Sequence, residues 1–245
     1  TWAQARARIA KNWPAPLLPA GQGGTLEMLT EDRGKDWLSG KGVAVPKGWS
    51  VSGEKVAEAA CEIGFPVALK MMSSLLAHKT EAGAVALGLG TAKAVNAAAV
   101  QMTTDVANHA PKAVTDQFLV EAMSPPPLAE LIVTLRNDPQ FGAALVLGSG
   151  GVLVELVGDA VTLLLPATHD EIEKALQSLR VARLLAGFRG RPKAELSKIA
   201  AQIHTLCQAY LQERATITEI EINPLFVYPD HVCAVDALLH RMVAS

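Results

Sequence analysis

The segment Thr218-Glu219-Ile220-Glu221-Ile222-Asn223-Pro224 constrains the fold more than any other stretch. Apolar and polar residues alternate with period two, so Ile220 and Ile222 face one way and Glu219, Glu221 and Asn223 the other. That alternation predicts a half-buried strand. Residues 225–227, a turn at Tyr228-Pro229-Asp230 and residues 232–236 continue it as a hairpin. Such a hairpin brings Asn223 and Asp236 side by side. A carboxylate next to an amide oxygen is hard-ligand chemistry, suited to a Mg2+ ion bridging nucleotide phosphates. The competing reading is the plain polar face of an edge hairpin.

The rest of the chain must supply the sheets and helices that hold this hairpin. Residues 31–39 read as a short helix ended by Gly40. Ser52 is placed to cap a helix that Gly64 stops at Ile63. A strand over 66–71 carries Lys70, a polar loop spans 73–83, and a second strand covers 84–89. Thr91 caps an Ala-rich helix to about Asn108, and a strand follows over 116–123. Beyond the triplet Pro125-Pro126-Pro127, strands are predicted over 130–136, 143–147, 152–157 and 161–165. Thr168 with Glu171 makes a capping box before one helix, and Pro192 opens a longer one reaching Gln212. The fold class is α/β with α+β character. The expected division is a Pro/Gly-rich linker or arm over 1–30, a small N-terminal lobe over 31–115 and a larger C-terminal lobe over 116–245. A cleft between two lobes is the default ligand site.

Composition narrows the function. Half of the 245 residues are apolar, which excludes a disordered chain. A net charge of −2 lacks the basic footprint that nucleic-acid binding needs. Cys61, Cys207 and Cys233 lie far apart with no CxxC pair, so neither a disulfide framework nor a zinc cluster is expected, and a reducing cytoplasmic setting is. Residues 141–167 imitate a membrane span. Gly148, Gly150, Gly151 and Gly158 interrupt them and Glu155 and Asp159 charge them, so they read as buried strands and no membrane association is expected.

Several further residues carry chemistry. Lys70 on an apolar strand either snorkels to water or aims a point charge at phosphate oxygens. His78-Lys79-Thr80-Glu81-Ala82-Gly83 is a loop able to offer a lysine and amide donors to phosphates, and its histidine can accept a phosphoryl group or be merely solvated. Glu121 and Glu130 are candidates for a nucleotide's amino and hydroxyl groups, or surface acids. Gly148-Ser149-Gly150-Gly151 is a bare hairpin or a phosphoryl nest. Arg189, flanked by Gly187-Phe188 and Gly190, can neutralise a transferring phosphoryl group or close a loop. No GxxxxGK[ST] loop exists, and Gly88-Leu89-Gly90 lacks the third glycine of a dinucleotide fingerprint, so ATP would bind by another geometry.

Taken in order, the strand Pro66-Val67-Ala68-Leu69-Lys70, the loop His78-Lys79-Thr80, Leu119-Val120-Glu121-Ala122-Met123, Glu130, RNDPQFG at 136–142, GSGGVLVE at 148–155, GFRGRP at 187–192, EIEINPL at 219–225 and AVDA at 234–237 make a series. This series resembles the ATP-grasp domain of the ADP-forming (NDP-forming) acyl-CoA synthetases, kin of the succinyl-CoA synthetase β subunit, over roughly 31–237. The resemblance implies an ATP-grasp fold, two lobes with the nucleotide cleft between them. It implies an acid–CoA ligase that interconverts acyl-CoA, ADP and phosphate with acid, CoA and ATP through an acyl phosphate and a phosphohistidine. ATP/ADP and Mg2+ are the implied cofactors. Lys70 and Lys79 would meet the phosphates, and Glu121, Ala122 and Met123 the adenine. Glu130 would meet the ribose, and Asn223 and Asp236 the metal. Glu221 would face the phosphohistidine, Arg189 is implied at the phosphoryl site, and His78 can itself carry the phosphoryl group. The chain departs from the family at Ala84 (a glycine in the usual loop), Glu221 (an aspartate) and Ala143 (a proline). None of these removes an implied phosphate or metal ligand. A CoA-binding, phosphohistidine-bearing domain or α subunit is the implied partner. The arm before Thr25 is similar to the linker of fused forms. The alternative the same resemblance leaves open is a regulatory nucleotide-binding module of a fused protein acetyltransferase, without ligase turnover. The sequence names neither the acid nor the preferred purine.

Overall fold

The computed structural model describes residues 24–76, 78–150 and 158–244. In chain order the elements are β1 (Gly24–Met28), α1 (Glu31–Gly40), β2 (Gly48–Ser52), α2 (Val56–Ile63), β3 (Val67–Met71), β4 (Val85–Leu89), α3 (Ala92–His109) and β5 (Gln117–Ala122). They continue with β6 (Ala129–Asp138), β7 (Gly142–Ser149), β8 (Ala160–Leu164), α4 (His169–Ser178), α5 (Ala182–Leu185), α6 (Leu196–Glu213), β9 (Ile217–Val227), β10 (Val232–Ala234) and β11 (Ala237–Ala244). The chain divides into two compact units. One holds residues 28–36 and 45–126; the other holds 24–27, 37–44 and the described part of 127–244.

The first unit is built on a four-stranded sheet in the order β2-β5-β3-β4. Strand β3 lies between β4 and β5 and pairs antiparallel with both. Its residues Val67, Leu69 and Met71 join Phe118 and Val120 of β5 in a core shared with Val56, Ala59 and Ala60 of α2 and Val95, Ala99, Met102 and Val106 of α3. Both helices obey their local signals. Thr91 accepts a hydrogen bond from the Ala94 amide at 3.2 Å, and Gly64 ends α2 with φ at +94°. Ser52 behaves otherwise. It closes β2, and α2 begins only after a 3-10 turn at Gly53–Lys55. The Gly53 amide is taken by Asp116, through both its carbonyl and its carboxylate at 3.1 Å, so a tertiary partner replaces the expected cap.

The second unit carries a seven-stranded sheet, β1-β11-β9-β6-β7-β8, with β10 paired to β9. The capping box at Thr168 and Glu171 is present as predicted. The alternation in β9 is also as expected from Glu219 to Asn223: Ile220 and Ile222 are buried, Glu219 and Glu221 half-buried and Asn223 exposed. Tyr210 of α6 is fully buried and donates its hydroxyl to the Thr218 carbonyl at 3.1 Å.

Five expectations need correction. The expected seam near 111–115 falls instead after Pro126, because β5, assigned to the C-terminal lobe, hydrogen-bonds to β2 and β3 and cannot be separated from them. Part of the expected arm is a strand, β1, beside β11. Pro192 does not open a helix. It lies in an extended lead held by Ala194 donating to Leu185 at 2.8 Å and Glu195 donating to Pro229 at 2.7 Å, and α6 begins at Leu196. The strand expected over 232–236 ends at Ala234, bends at Asp236 and resumes as β11. Residues 217–222 and 225–227 form one strand, β9, because β6 pairs with it on both sides of Asn223-Pro224, from Glu219 to Ile222 and from Leu225 to Val227, with a register shift between. The strand expected over 152–157, Gly151 and most of the 1–30 arm lie outside the described residues.

All three cysteines are free, and burial pushes the Cys207 thiol up to about 12. Among the described residues, no helix is long and apolar enough to cross a membrane.

Candidate functional site

In the first unit the site begins with the two faces of β3. Odd positions enter the helical core, so Ala68 and Lys70 point to the opposite face, yet all five residues of the strand are buried. The register Ala68↔Glu121 and Lys70↔Leu119 sets Lys70 and Glu121 on that same face as diagonal neighbours. Helix α1 brings Glu31 and Lys35 there, one turn apart. Gly48 makes room. A Cβ at Gly48 would come within 2.7 Å of the Glu121 Cγ.

The result is a buried cluster of five charged side chains. Glu31 Oε1 accepts from Lys70 Nζ at 2.5 Å and lies 2.8 Å from Lys35 Nζ. Glu31 Oε2 lies 3.1 Å from Lys79 Nζ. Glu121 accepts from Lys35 at 2.5 Å and lies 3.1 Å from Lys70. No member is more than 9% exposed. Burial alone would push the Glu31 carboxyl up; the Lys70, Lys35 and Lys79 ammonium groups together hold it well below the usual carboxylate range. Lys70 is therefore neither a snorkelling lysine nor a lone charge. Burying an ion cluster is a poor way to gain stability compared with apolar packing, which makes this cluster a candidate site.

The loop after β3 places His78 and Lys79 differently. Lys79 is buried in the cluster and His78 is exposed. The loop amides expected to face phosphates are spent inside the loop: Ala82 donates to His78, Gly83 to Thr80 and Ala84 to Lys79, at 3.4, 3.2 and 2.8 Å. At the end of β5 the amides of Ala122 and Met123 are engaged by Lys47 and Pro66, and the Met123 side chain is exposed. The Glu121 carboxylate, expected at a nucleotide's amino group, is instead turned into the lysines.

In the second unit β9 and the bend at Asp236 do meet. The Asn223 amide donates to the Asp236 carbonyl at 3.3 Å. Glu221 follows the same face of β9, opposite Thr134 of β6 and Leu238 of β11. Among the described residues no three His, Cys, Asp or Glu side chains converge as a metal-binding group. By residue type Asn223 and Asp236 could offer a Mg2+ ion two oxygen donors, which suits an ion that keeps water and phosphate oxygens in its shell. Glu130, half-buried on β6, accepts the Gly150 amide at 2.7 Å. Ser149 donates its amide to the Asp159 carbonyl at 3.0 Å, so two of the amides expected in a phosphoryl nest already have backbone partners. Arg189 adopts the left-handed conformation, φ 53° and ψ 43°, which costs a non-glycine residue roughly 1–2 kcal/mol. Its guanidinium sits over the Phe188 ring at 5.2 Å. Arg136, Asn137, Asp138 and Pro139 of the RNDPQFG segment line a separate cavity of about 440 Å³ with Arg214, Thr218 and Glu219.

Glu31 and Lys35 are the members of this cluster that the sequence reading missed. The available signal was a Glu/Lys pair at i, i+4 in the first turns of a helix, which is indistinguishable from a surface pair until β3 and β5 bury it.

Residues 22–240 match the family model described as an ATP-grasp domain. The chain is 31% identical over 210 residues to the β subunit of an ADP-forming acetate–CoA ligase I from Pyrococcus furiosus, covering 85% of this chain and 90% of that one. It is 30% identical over 234 residues to a trans-feruloyl-CoA synthase of an unknown prokaryotic organism, covering 94% of this chain but only 33% of the relative. Some relatives are thus about three times as long as the matched region, while others end close to it. Among solved structures it resembles the dinucleotide-forming acetyl-coenzyme A synthetase 1 of Ca. Korarchaeum cryptofilum. The complex with coenzyme A and Ca-AMPCP gives a TM-score of 0.80 at 28% identity, covering 98% and 99% of the two chains. A second complex of that enzyme, with coenzyme A and Mg-AMPPCP, gives 0.72 at 26% identity over the whole of both chains; its phosphohistidine segment points towards the nucleotide site.

Proposed function

The chain belongs to the ATP-grasp family, and on that premise we propose that it is the Mg-nucleotide half of an ADP-forming acid–CoA ligase. In this reading it passes a phosphoryl group between ATP/ADP and a phosphohistidine on a CoA-binding partner domain or α subunit. The observation that carries the reading is the correspondence, over 85% of this chain and 90% of the relative, with a β subunit of an ADP-forming acetate–CoA ligase.

The residues divide by chemistry. Lys70 and Lys79 neutralise nucleotide phosphates, and their restricted ammonium groups suit a point-charge role. Asn223 and Asp236 hold Mg2+, which when bound neutralises phosphate charge. Ala122 and Met123, at the end of β5 beside Glu121, border the adenine, and Glu130 takes the ribose. Glu221 orients the incoming phosphohistidine. Arg189 offers charge to the phosphoryl in flight, and exposed His78 is free to receive it. Positioning and charge neutralisation carry most of phosphoryl transfer, and these residue types supply both.

Titration calorimetry with Mg-ADP tests the first half of the reading. Binding in the micromolar to millimolar range is expected, and no heat at several millimolar Mg-ADP overturns it. Mixing the chain with a CoA-binding partner, acetyl-CoA, ADP and phosphate tests the second half, with ATP formation expected. Nucleotide binding with no turnover under any partner would favour the regulatory module instead.

A further inference from the structure

We propose that Glu31 is a positioning residue for the nucleotide phosphates: its buried carboxylate gathers the ammonium groups of Lys70 and Lys79 and so assembles the cationic subsite before any phosphate arrives. This rests on the nucleotide reading above and adds to it a residue that neither touches the reacting atoms nor belongs to the hairpin.

The three lysines around Glu31 come from three segments: Lys35 from α1, Lys70 from β3 and Lys79 from the loop that follows. Ala84 links the two backbones, donating to the Lys79 carbonyl and accepting from the Met71 amide, and Glu31 links the two ammonium groups, with Oε1 on Lys70 and Oε2 towards Lys79. Three like charges drawn together with so little exposure repel strongly, and a carboxylate among them is what lets them stay charged at close quarters. Glu121 does part of this work, pairing with Lys35 and Lys70. Lys35 acts as a strut, since it bridges Glu31 to Glu121 and sets the direction from which Glu31 approaches.

The consequence reaches the loop. Lys79 is buried and its ammonium approaches Glu31, and His78, its neighbour in the chain, is exposed beside it. Holding Lys79 therefore also fixes where His78 is presented. A carboxylate that only plugged the phosphate position would act in the opposite sense, and removing it would tighten nucleotide binding. The two roles are separable by experiment because they predict opposite signs.

The test compares the full chain with its Glu31→Gln and Glu31→Asp variants, reading Mg-ADP and adenosine binding side by side. Adenosine lacks phosphate and reports the rest of the site. For Glu31→Gln, Mg-ADP is expected at least tenfold weaker with adenosine within twofold of the parent. Glu31→Asp keeps the charge but shortens its reach, which covers the case in which the glutamine variant does not fold; it is expected to lose about threefold for Mg-ADP and nothing for adenosine. Unchanged or tighter Mg-ADP binding in the variants overturns the proposal, and so does a parallel loss of both ligands. A parent chain that binds no Mg-ADP overturns the nucleotide reading itself and takes this inference with it.

Discussion

The small sheet and the large sheet hold their polar groups in opposite ways. On β3 and β5 the charges are inside, each within 9% exposure, and the protein supplies both signs: three lysines against two glutamates. At the β9 hairpin the oxygen donors stay near solvent, with Asn223 exposed and Asp236 half-buried. A buried charge must be neutralised by its neighbours whether or not a ligand is present. A solvated donor can wait in water until an ion and its phosphates arrive. Under the proposed function the first arrangement would couple binding to stability, and the second would separate them.

Lys70→Met should break the comparison hardest. It removes a cation from two buried carboxylates and keeps most of the side-chain volume. A loss of about 3–5 kcal/mol in urea unfolding is expected from stranding a buried partner, together with at least a hundredfold loss of Mg-ADP affinity in calorimetry. Stability within 1 kcal/mol of the parent would mean that the cluster is not a structural unit.

Acid should probe the same coupling without mutation. Glu31 has an ordinary value of 4.5 and is held well below it in the folded chain. The unfolded chain therefore binds the proton first, so stability contributed by Glu31 is complete above about pH 4.5 and is lost as pH falls from there towards the folded value. Urea midpoints should fall between pH 5 and pH 3, and Glu31→Gln should fall less steeply over the same range. Parallel slopes for the two proteins would remove Glu31 from the acid response.

Asp236→Asn should show the other behaviour. Its backbone carbonyl still accepts the Asn223 amide, so the bend persists. Unfolding free energy should stay within about 1 kcal/mol of the parent, as for most partly exposed substitutions. The affinity for ADP in millimolar Mg2+ should drop ten- to a hundredfold, and the difference between Mg2+ and EDTA should largely vanish. Loss of stability without loss of the Mg2+ effect would make Asp236 structural.

The same contrast explains what was legible in advance. The β9 face, the Thr91 cap, the Thr168–Glu171 box and the Gly64 stop are local: each depends on residues within four positions, and each is where the spacing puts it. Ser52 and Pro192 carried equally good local signals and were overruled by Asp116 and by the lead held at Leu185 and Pro229. Strand β11 was not among the expected strands; it has a neighbour on each side and shifts register between His240 and Arg241. The hairpin's candidate metal donors, Asn223 and Asp236, could be paired on paper because one turn joins them. The ion cluster could not, since Glu31, Lys70 and Glu121 meet only once β3 lies beside β5 and α1 covers that face.

Neighbouring positions 78 and 79 offer the finest test of the comparison, because the loop places one outside and one inside. His78→Ala removes an exposed ring, so unfolding free energy should move by no more than about 0.5 kcal/mol, as expected for a surface site. Mg-ADP affinity should change less than threefold, since the cluster beside it is intact. Acid-labile, base-stable phosphate on this chain, measured after incubation with ATP and the CoA-binding partner, should fall to background. If label persists in His78→Ala, another group in the chain carries it. If stability drops as it does in a Lys79→Ala variant, the division between the solvated and the buried residue of this loop does not hold.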